Sequence, residues 1–501
     1  MSTLGRRPKI GLVLGPVFFV LLLVLPTPGD MPPAGMKVAA VAALMAVWWI
    51  TEAIPIPATA LLPIALFPIL GVMGSSDVTA SYANHLIYLY LGGFLIAATI
   101  QKWDLHKRIA LVTIMLVGTS PKRIILGFMI ATAFLSMWIS NTATTMMMLP
   151  IGLAVVHQAT SMLKLEKKSD FARLESGDFR FATSLMLGIA YAASIGGIAT
   201  LIGTPPNAIL AGVIEKTYGQ TISFASWMQV GLPLAIVMLF VTWFYLTTWA
   251  CPSEITSLPG GRNLISSELK KLGSITKEEK RVLIVFVLVA VAWIARGVVN
   301  IEGAELIHDS TIAMVGGLAL FLIPSDFRRG QFLLDWKTAV RIPWDIIILF
   351  GGGFALAGGF SQSGLTEWIA WRLSILEGTN VVILVAAAAL LVIFLTEITS
   401  NTATAALTLP IMAAFAEAMD IHPYGVMVTV AIAASYAFMM PVATPPNAIV
   451  FSCRYVSIPK MARAGFWLNL IGWLLLLLTT LVWLPRAWNF SLTGFSGIPG
   501  G

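Results

Sequence analysis

Long apolar runs alternate with short polar loops along most of the chain. The runs lie near 11–27, 37–51, 54–73, 85–101, 181–213, 227–250, 282–299, 310–324, 344–371, 424–452 and 464–485. Roughly 20 mostly apolar residues are enough for a helix to cross a bilayer, so each run predicts a membrane span. Two further runs, 121–157 and 381–419, are too long for one span and are interrupted midway by small polar residues. Each fits either two full spans or a re-entrant hairpin.

Composition narrows the class. Of 501 residues, 58% are hydrophobic and 11% charged, whereas a soluble domain carries about 25% charged residues. So few charges cannot cover a soluble protein of this size, which argues against soluble enzymes, nucleic-acid binders and disordered chains. The net charge of +7 would suggest nucleic acid in a soluble protein. Here the basic residues sit in loops: Lys102, Lys107 and Arg108; Lys164, Lys167, Lys168, Arg173 and Arg180; Arg262, Lys270, Lys271, Lys277, Lys280 and Arg281; Arg328, Arg329, Lys337 and Arg341; Arg454, Lys460 and Arg463. The 300–309 loop is acidic, with Glu302, Glu305 and Asp309. Basic loops stay on the cytoplasmic side. All these loops share that side only if 121–157 and 381–419 return to the face they entered from. The sequence therefore predicts an all-α polytopic membrane protein with about eleven spans, two re-entrant hairpins, a cytoplasmic N-terminus and an extracytoplasmic C-terminus. Arg6, Arg7 and Lys9 precede an apolar run, but no clear small-residue cleavage site follows, so the run reads as a span and not a signal peptide. Cys251 and Cys453 are too far apart for a CxxC site.

The chain contains a repeat. Ser140-Asn141-Thr142-Ala143-Thr144 recurs 260 residues later as Ser400-Asn401-Thr402-Ala403-Thr404, and the same offset aligns Gly92-Gly93-Phe94 with Gly352-Gly353-Phe354. Thr204-Pro205-Pro206-Asn207 recurs 240 residues later as Thr444-Pro445-Pro446-Asn447. From the loop charges, the first copy opens on an inward span and the second on an outward one. The copies are thus expected to be inverted, the build of secondary transporters whose site lies at the repeat interface. The expected division is 1–84 N-terminal scaffold, 85–250 first repeat, 251–281 cytoplasmic loop, 282–343 linking spans, 344–485 second repeat and 486–501 tail.

The repeated residues suit an anion. Hydroxyls and amides donate to anions and accept from cations, and a helix starting at each motif offers free N–H groups and its dipole. Paired prolines break the helical ladder and free carbonyls upstream, which can coordinate sodium. No Lys or Arg occurs within 124–157, 181–213, 381–419 or 424–452. A bound anion is therefore expected to meet dipoles, neutral donors and co-bound sodium, and no fixed cationic side chain.

Other features read as structural. Gly351-Gly352-Gly353 lacks the Walker Lys-Ser/Thr and suggests close helix packing. His85, His106, His157, His308 and His422 show no metal spacing and are read as unclustered. Glu397 lies in a very apolar stretch, its repeat counterpart is Met137, and its role stays open between ion ligand and support. An intramembrane enzyme would need a catalytic constellation the spans lack. An anion channel would need a continuous pore, not broken helices.

The paired Ser-Asn-Thr motifs at 140–142 and 400–402 and Thr-Pro motifs at 204–205 and 444–445 resemble those of the divalent anion/sodium symporter family, the sodium-coupled dicarboxylate and citrate carriers. The resemblance covers nearly the whole chain. It implies a plasma-membrane homodimer in which a transport domain carrying both hairpins moves like an elevator against a scaffold. It implies substrate contacts from Ser140, Asn141, Thr142, Thr204, Pro205, Ser400, Asn401, Thr402, Thr444 and Pro445. It implies one sodium site at Ser136, Ser140, Asn141 and Gly203, and another at Thr396, Asn401, Ala443 and Ala403 or a nearby carbonyl. Ser136 and Thr396 each stand four residues before a motif serine, a symmetry that supports two sodium sites. The expected cargo is a C4-dicarboxylate such as succinate, malate or fumarate. Citrate, sulfate or sodium-independent exchange are the alternatives within the same fold.

Overall fold

The computed structural model describes residues 5–118, 120–165, 179–255, 261–298, 306–376 and 378–492. The basic residues Lys167, Lys168 and Arg173, the Lys164 side chain, and the acidic Glu302 and Glu305 lie outside the described residues. The described chain is helical, apart from one short antiparallel pair, Pro324–Asp326 with Gln331–Phe332.

Helices α1 (Arg6–Val24) and α2 (Pro33–Thr51) pack antiparallel through glycines. A Cβ at Gly11 would strike Thr51 and one at Gly15 would strike Trp48. The 54–73 run is not one span. It folds as two short helices, Ile56–Thr59 and Leu62–Ile69, because Pro55, Pro57, Pro63 and Pro68 remove donors and prevent a continuous ladder. The 344–371 run is likewise two helices, which turn at Gly364 with φ of 73°.

Helices α3 (His85–Lys102) and α4 (Leu105–Val117) lead to α5 (Pro121–Ser136) and α6 (Asn141–Leu165). Next come α7 (Arg180–Gly197), α8 (Pro205–Tyr218) and α9 (Phe224–Tyr245). A middle group contains α10 (Gly261–Lys271), α11 (Lys277–Val298) and α12 (Asp309–Leu322). Then come α13 (Trp344–Gln362), α14 (Leu365–Leu373), α15 (Val381–Thr396), α16 (Asn401–Ala418), α17 (Pro423–Ala433), α18 (Pro445–Ser452) and α19 (Ile458–Leu478), and short helices such as Ser75–Ala80 and Leu484–Trp488 lie between or after them. Both interrupted runs, and both runs carrying Thr-Pro-Pro, are thus helix–break–helix units, and the breaks fall at the repeated motifs. Six helices among the described residues are long and apolar enough to cross a membrane alone, and four shorter apolar helices accompany them.

α7 is the centre of the molecule. Every residue from Phe181 to Gly197 is buried, including the polar Thr183, Ser184 and Ser194. A Cβ at Gly196 would come within 2.2 Å of the Ala133 carbonyl oxygen, so α7 and α5 touch backbone to backbone. The repeated Gly-Gly-Phe motifs serve packing. A Cβ at Gly92 would meet the Ala313 backbone at 2.4 Å, and one at Gly352 the Ala60 oxygen at 2.5 Å.

Candidate functional site

At each motif one helix stops and another starts after a four-residue turn. α5 ends at Ser136 and α6 begins at Asn141; α15 ends at Thr396 and α16 begins at Asn401. Ser140 Oγ accepts the Ala143 N–H at 3.3 Å, capping α6. α8 and α18 begin directly after Thr204 and Thr444, and Thr444 Oγ1 accepts the Asn447 N–H at 3.3 Å. Proline suits the first helical position because its missing N–H has no intrahelical partner there.

The four helix starts meet at one cavity of about 690 Å³. Ser140, Asn141, Thr142, Gly203, Thr204, Pro205, Ser400, Asn401, Thr402, Ala443, Thr444 and Pro445 all line it. Free N–H groups and positive dipole ends from both repeats therefore converge on one space, the arrangement that attracts an anion.

Ser136 and Thr396 do not line the cavity. Both are fully buried, and each supports a motif asparagine. Ser136 Oγ donates to Asn141 Oδ1 at 2.6 Å or to the Ala193 carbonyl at 2.8 Å. Thr396 Oγ1 stands likewise 2.7 Å from Asn401 Oδ1 and 2.9 Å from the Ala434 carbonyl. Asn141 Oδ1 also faces the Ala193 and Gly203 carbonyl oxygens at 3.1 and 3.2 Å, oxygen against oxygen. Rotating the amide would make its nitrogen a donor there, whereas a hard cation among the four oxygens would satisfy them unrotated. Ala403 is buried in α16 and does not line the cavity.

The asparagines of the Thr-Pro-Pro-Asn motifs brace the breaks. Asn207 Nδ2 donates to the Gly197 and Thr200 carbonyls at 3.3 and 2.7 Å. Asn447 Nδ2 donates to the Ala437 and Met440 carbonyls, both at 3.0 Å. Each clamps the carbonyls of a non-helical stretch with one amide. Tyr90, which lines the cavity, donates its hydroxyl to the Leu201 and Thr204 carbonyls.

Two expectations need correction. The motif segments carry no Lys or Arg, but the folded cavity does have a cationic side chain. Arg7 lines it together with Glu52 and Asp345, and Arg7 Nη2 donates to the Ile398 carbonyl at 2.6 Å and to the Ile50 carbonyl. Chain folding brings together residues 391 positions apart, which no spacing rule could anticipate. The histidines are also not all isolated. The His85 and His308 rings stack 4.8 Å apart, and His85 Nε2 lies 2.8 Å from Glu215 Oε1. Even so, no group of three or more His, Cys, Asp or Glu side chains among the described residues is positioned for a metal ion.

Glu397, whose role the sequence left open, is buried and does not line the cavity. Its carboxylate takes the N–H groups of Phe438, Met439 and Met440 at 2.8, 2.9 and 3.0 Å, and Asn469 Nδ2 at 2.7 Å.

Broken apolar helices around a cavity of helix starts define a helical membrane transporter. The chain belongs to the family described as the sodium:sulfate symporter transmembrane region, whose model matches residues 8–489. It is 45% identical over 487 residues to the sodium-dependent dicarboxylate transporter SdcS of Staphylococcus saprophyticus, covering 97% of this chain and 93% of that protein. The Staphylococcus aureus protein of the same name is 44% identical over 479 residues, covering 95% and 91%. Two solved structures share the fold at low identity. MtrF of Neisseria gonorrhoeae, described among antimetabolite efflux pumps, matches with a TM-score of 0.56 at 12% identity over 96% of each chain. The YdaH transporter of Alcanivorax borkumensis matches with a TM-score of 0.52 at 11% identity over 97% of this chain and 99% of its own.

Proposed function

We propose that the protein is a sodium-coupled symporter of C4-dicarboxylates such as succinate, malate and fumarate in the plasma membrane. The observation that carries this reading is the pair of buried oxygen clusters, at Ser136–Asn141 and Thr396–Asn401, behind a cavity ringed by helix starts. The names of the two staphylococcal relatives support the same coupling and substrate class.

The mechanism follows from the donors. One substrate carboxylate faces Ser140, Asn141, Thr142 and the Thr204-Pro205 helix start. The other faces Ser400, Asn401, Thr402 and the Thr444-Pro445 start. One sodium ion is held by Ser136, Ser140, Asn141 and Gly203, the other by Thr396, Asn401 and Ala443, with the Ala193 and Ala434 carbonyls as further oxygens. The ions neutralise a dianion that hydroxyls and dipoles alone would hold weakly, so substrate and sodium move together. Transport proceeds by an elevator movement of a domain containing two re-entrant hairpins (121–157 and 381–419) and two broken helices, against a dimeric scaffold formed by 1–84 and 282–343. The repeats 85–250 and 344–485 have inverted topology, with the N-terminus and the 251–281 loop cytoplasmic and the 486–501 tail outside.

A sulfate or citrate carrier is the second reading, because the family description names sulfate. The test is substrate uptake by the Asn141→Ala and Asn401→Ala proteins. Loss of succinate uptake with intact folding in both supports the site, and wild-type rates in both would remove it. Competition by sulfate or citrate, but not by succinate, would favour the second reading.

A further inference from the structure

At position 397 the two repeats match in place and differ in chemistry: Glu397 stands where the first copy has Met137. In the first copy, the Met137 carbonyl accepts the Thr200 hydroxyl at 2.5 Å, tying the α5–α6 turn to the break between α7 and α8. In the second copy, the equivalent positions are Glu397 and Met440, and Glu397 Oε2 accepts the Met440 N–H at 3.0 Å. The same joint is a single neutral hydrogen bond in one copy and a carboxylate with four donors in the other.

The Glu397 carboxylate oxygens meet only donors. Phe438 N–H, Met439 N–H and Asn469 Nδ2 converge on Oε1, and Met440 N–H on Oε2. All four are donors, so both oxygens accept, as an ionised carboxylate does. Successive backbone N–H groups of a non-helical stretch form a nest that attracts an anion. Here the anion is a side chain of the protein. These N–H groups lie within the break between α17 and α18 and have no helical partners. Holding them turns the neighbouring carbonyls toward Asn447, which takes those of Ala437 and Met440. The same break carries Ala434, which accepts from Thr396, and Ala443, which lines the cavity.

We infer that Glu397 is a positioning residue for the second sodium site, setting the Ala434–Ala443 backbone and adding a fixed negative charge one residue from Thr396. The two sodium sites are then unequal: the second is pre-organised by a buried anion, and the first, with Met137, is not. Sodium binds the second site more tightly and fills it first. This inference rests on the sodium-symport reading above.

The test is sodium-dependent succinate uptake by the full-length protein in proteoliposomes, with the sodium-induced rise in melting temperature read in detergent. Glu397→Gln keeps the shape but loses the charge and opposes an NH2 group to a backbone N–H. The expected result is a rise of about tenfold in half-saturating sodium, the effect of losing charge-assisted bonds. At saturating sodium, the maximal rate and the succinate KM stay within about threefold of wild type. A smaller sodium-induced melting shift accompanies this. Asn469→Leu removes one of the four donors and is expected to give a smaller shift in the same direction. That variant decides the question if Glu397→Gln fails to fold. Unchanged sodium dependence in the folded variant, or a loss of maximal rate alone, overturns the inference while leaving sodium symport intact. Sodium-independent uptake by the wild type removes both.

Discussion

The Thr396 hydroxyl lies 2.7 Å from Asn401 Oδ1 and is fully buried behind the cavity. Ser136 and Asn141 repeat the relationship at 2.6 Å in the first copy. A hydroxyl that touches the motif asparagine but not the cavity bears on the cation more than on the substrate. Thr396→Val retains the shape and removes the oxygen. Half-saturating sodium is expected to rise by about tenfold, the loss of roughly 1.4 kcal/mol. The succinate KM at saturating sodium is expected to stay close to wild type. Uptake measured as a function of sodium at fixed succinate, and of succinate at fixed sodium, separates the two effects.

Arg7 brings a fixed positive charge to a cavity whose other charged lining residues are Glu52 and Asp345. Its bond to the Ile398 carbonyl also ties α1 to the turn before Ser400. Arg7→Gln is expected to lower kcat/KM for succinate several-fold at low ionic strength. The deficit should narrow when choline chloride is added at constant sodium, because salt screens exposed charges within about 10 Å at 0.1 M. A deficit independent of salt would assign Arg7 to the tether alone.

Adjacent glycines in α13 are predicted to behave oppositely. A Cβ at Gly352 would come within 2.5 Å of the Ala60 backbone oxygen, whereas at Gly353 its nearest neighbour is the Ala406 Cβ at 3.4 Å. Gly352→Ala forces backbone apart and is expected to cost about 1–3 kcal/mol. Gly353→Ala is expected to be close to neutral. Thermal melts of the purified variants measure the difference.

The Arg108–Glu279 pair predicts a pH signature. Arg108 Nε and Nη2 donate to Glu279 at 2.7 and 3.1 Å, and Glu279 closes a capping box with Thr276 at the start of α11. Burial pushes the Glu279 carboxyl up, but the Arg108 guanidinium and Thr276 N–H outweigh it, so its pKa lies below the usual value. The stability from this pair is therefore present above the ordinary glutamate range and lost as pH falls through the lowered value. Arg108→Met leaves a buried, unpaired carboxylate, at a cost of about 3–5 kcal/mol at pH 7. The melting-temperature gap from wild type should shrink as pH falls from about 7 toward 4, as the variant's buried, unpaired carboxyl protonates. A gap constant from pH 7 to pH 4 would contradict the assignment.

What the sequence made legible follows from what was duplicated. Ser140-Asn141-Thr142 and Thr204-Pro205 announced themselves because they recur, and the folded chain gathers both copies around one cavity. Proline marked the breaks before Pro205 and Pro445 because it cannot continue a ladder. The same rule, applied less strictly, misread 54–73 as one span although Pro55, Pro57, Pro63 and Pro68 stand in it. Ala193 and Ala434 contribute only main-chain oxygens, and an alanine side chain carries no sign of that. Arg7 reaches Ile398 across most of the chain, and His85 meets His308 in the same way. Such contacts arise from helix packing and have no local pattern. Glu397 was visible as an anomaly, a carboxylate in an apolar stretch. Its partners were not visible, because three of the four are backbone N–H groups.

The central claim is that sodium and a dicarboxylate move together. Its most direct measurement is uptake of labelled succinate into proteoliposomes containing the purified protein, with an inward sodium gradient or with choline replacing sodium on both sides. The account predicts concentrative uptake with the gradient, collapse of accumulation when the gradient is dissipated, and no uptake above protein-free liposomes in choline. Equal succinate uptake with and without sodium would contradict it.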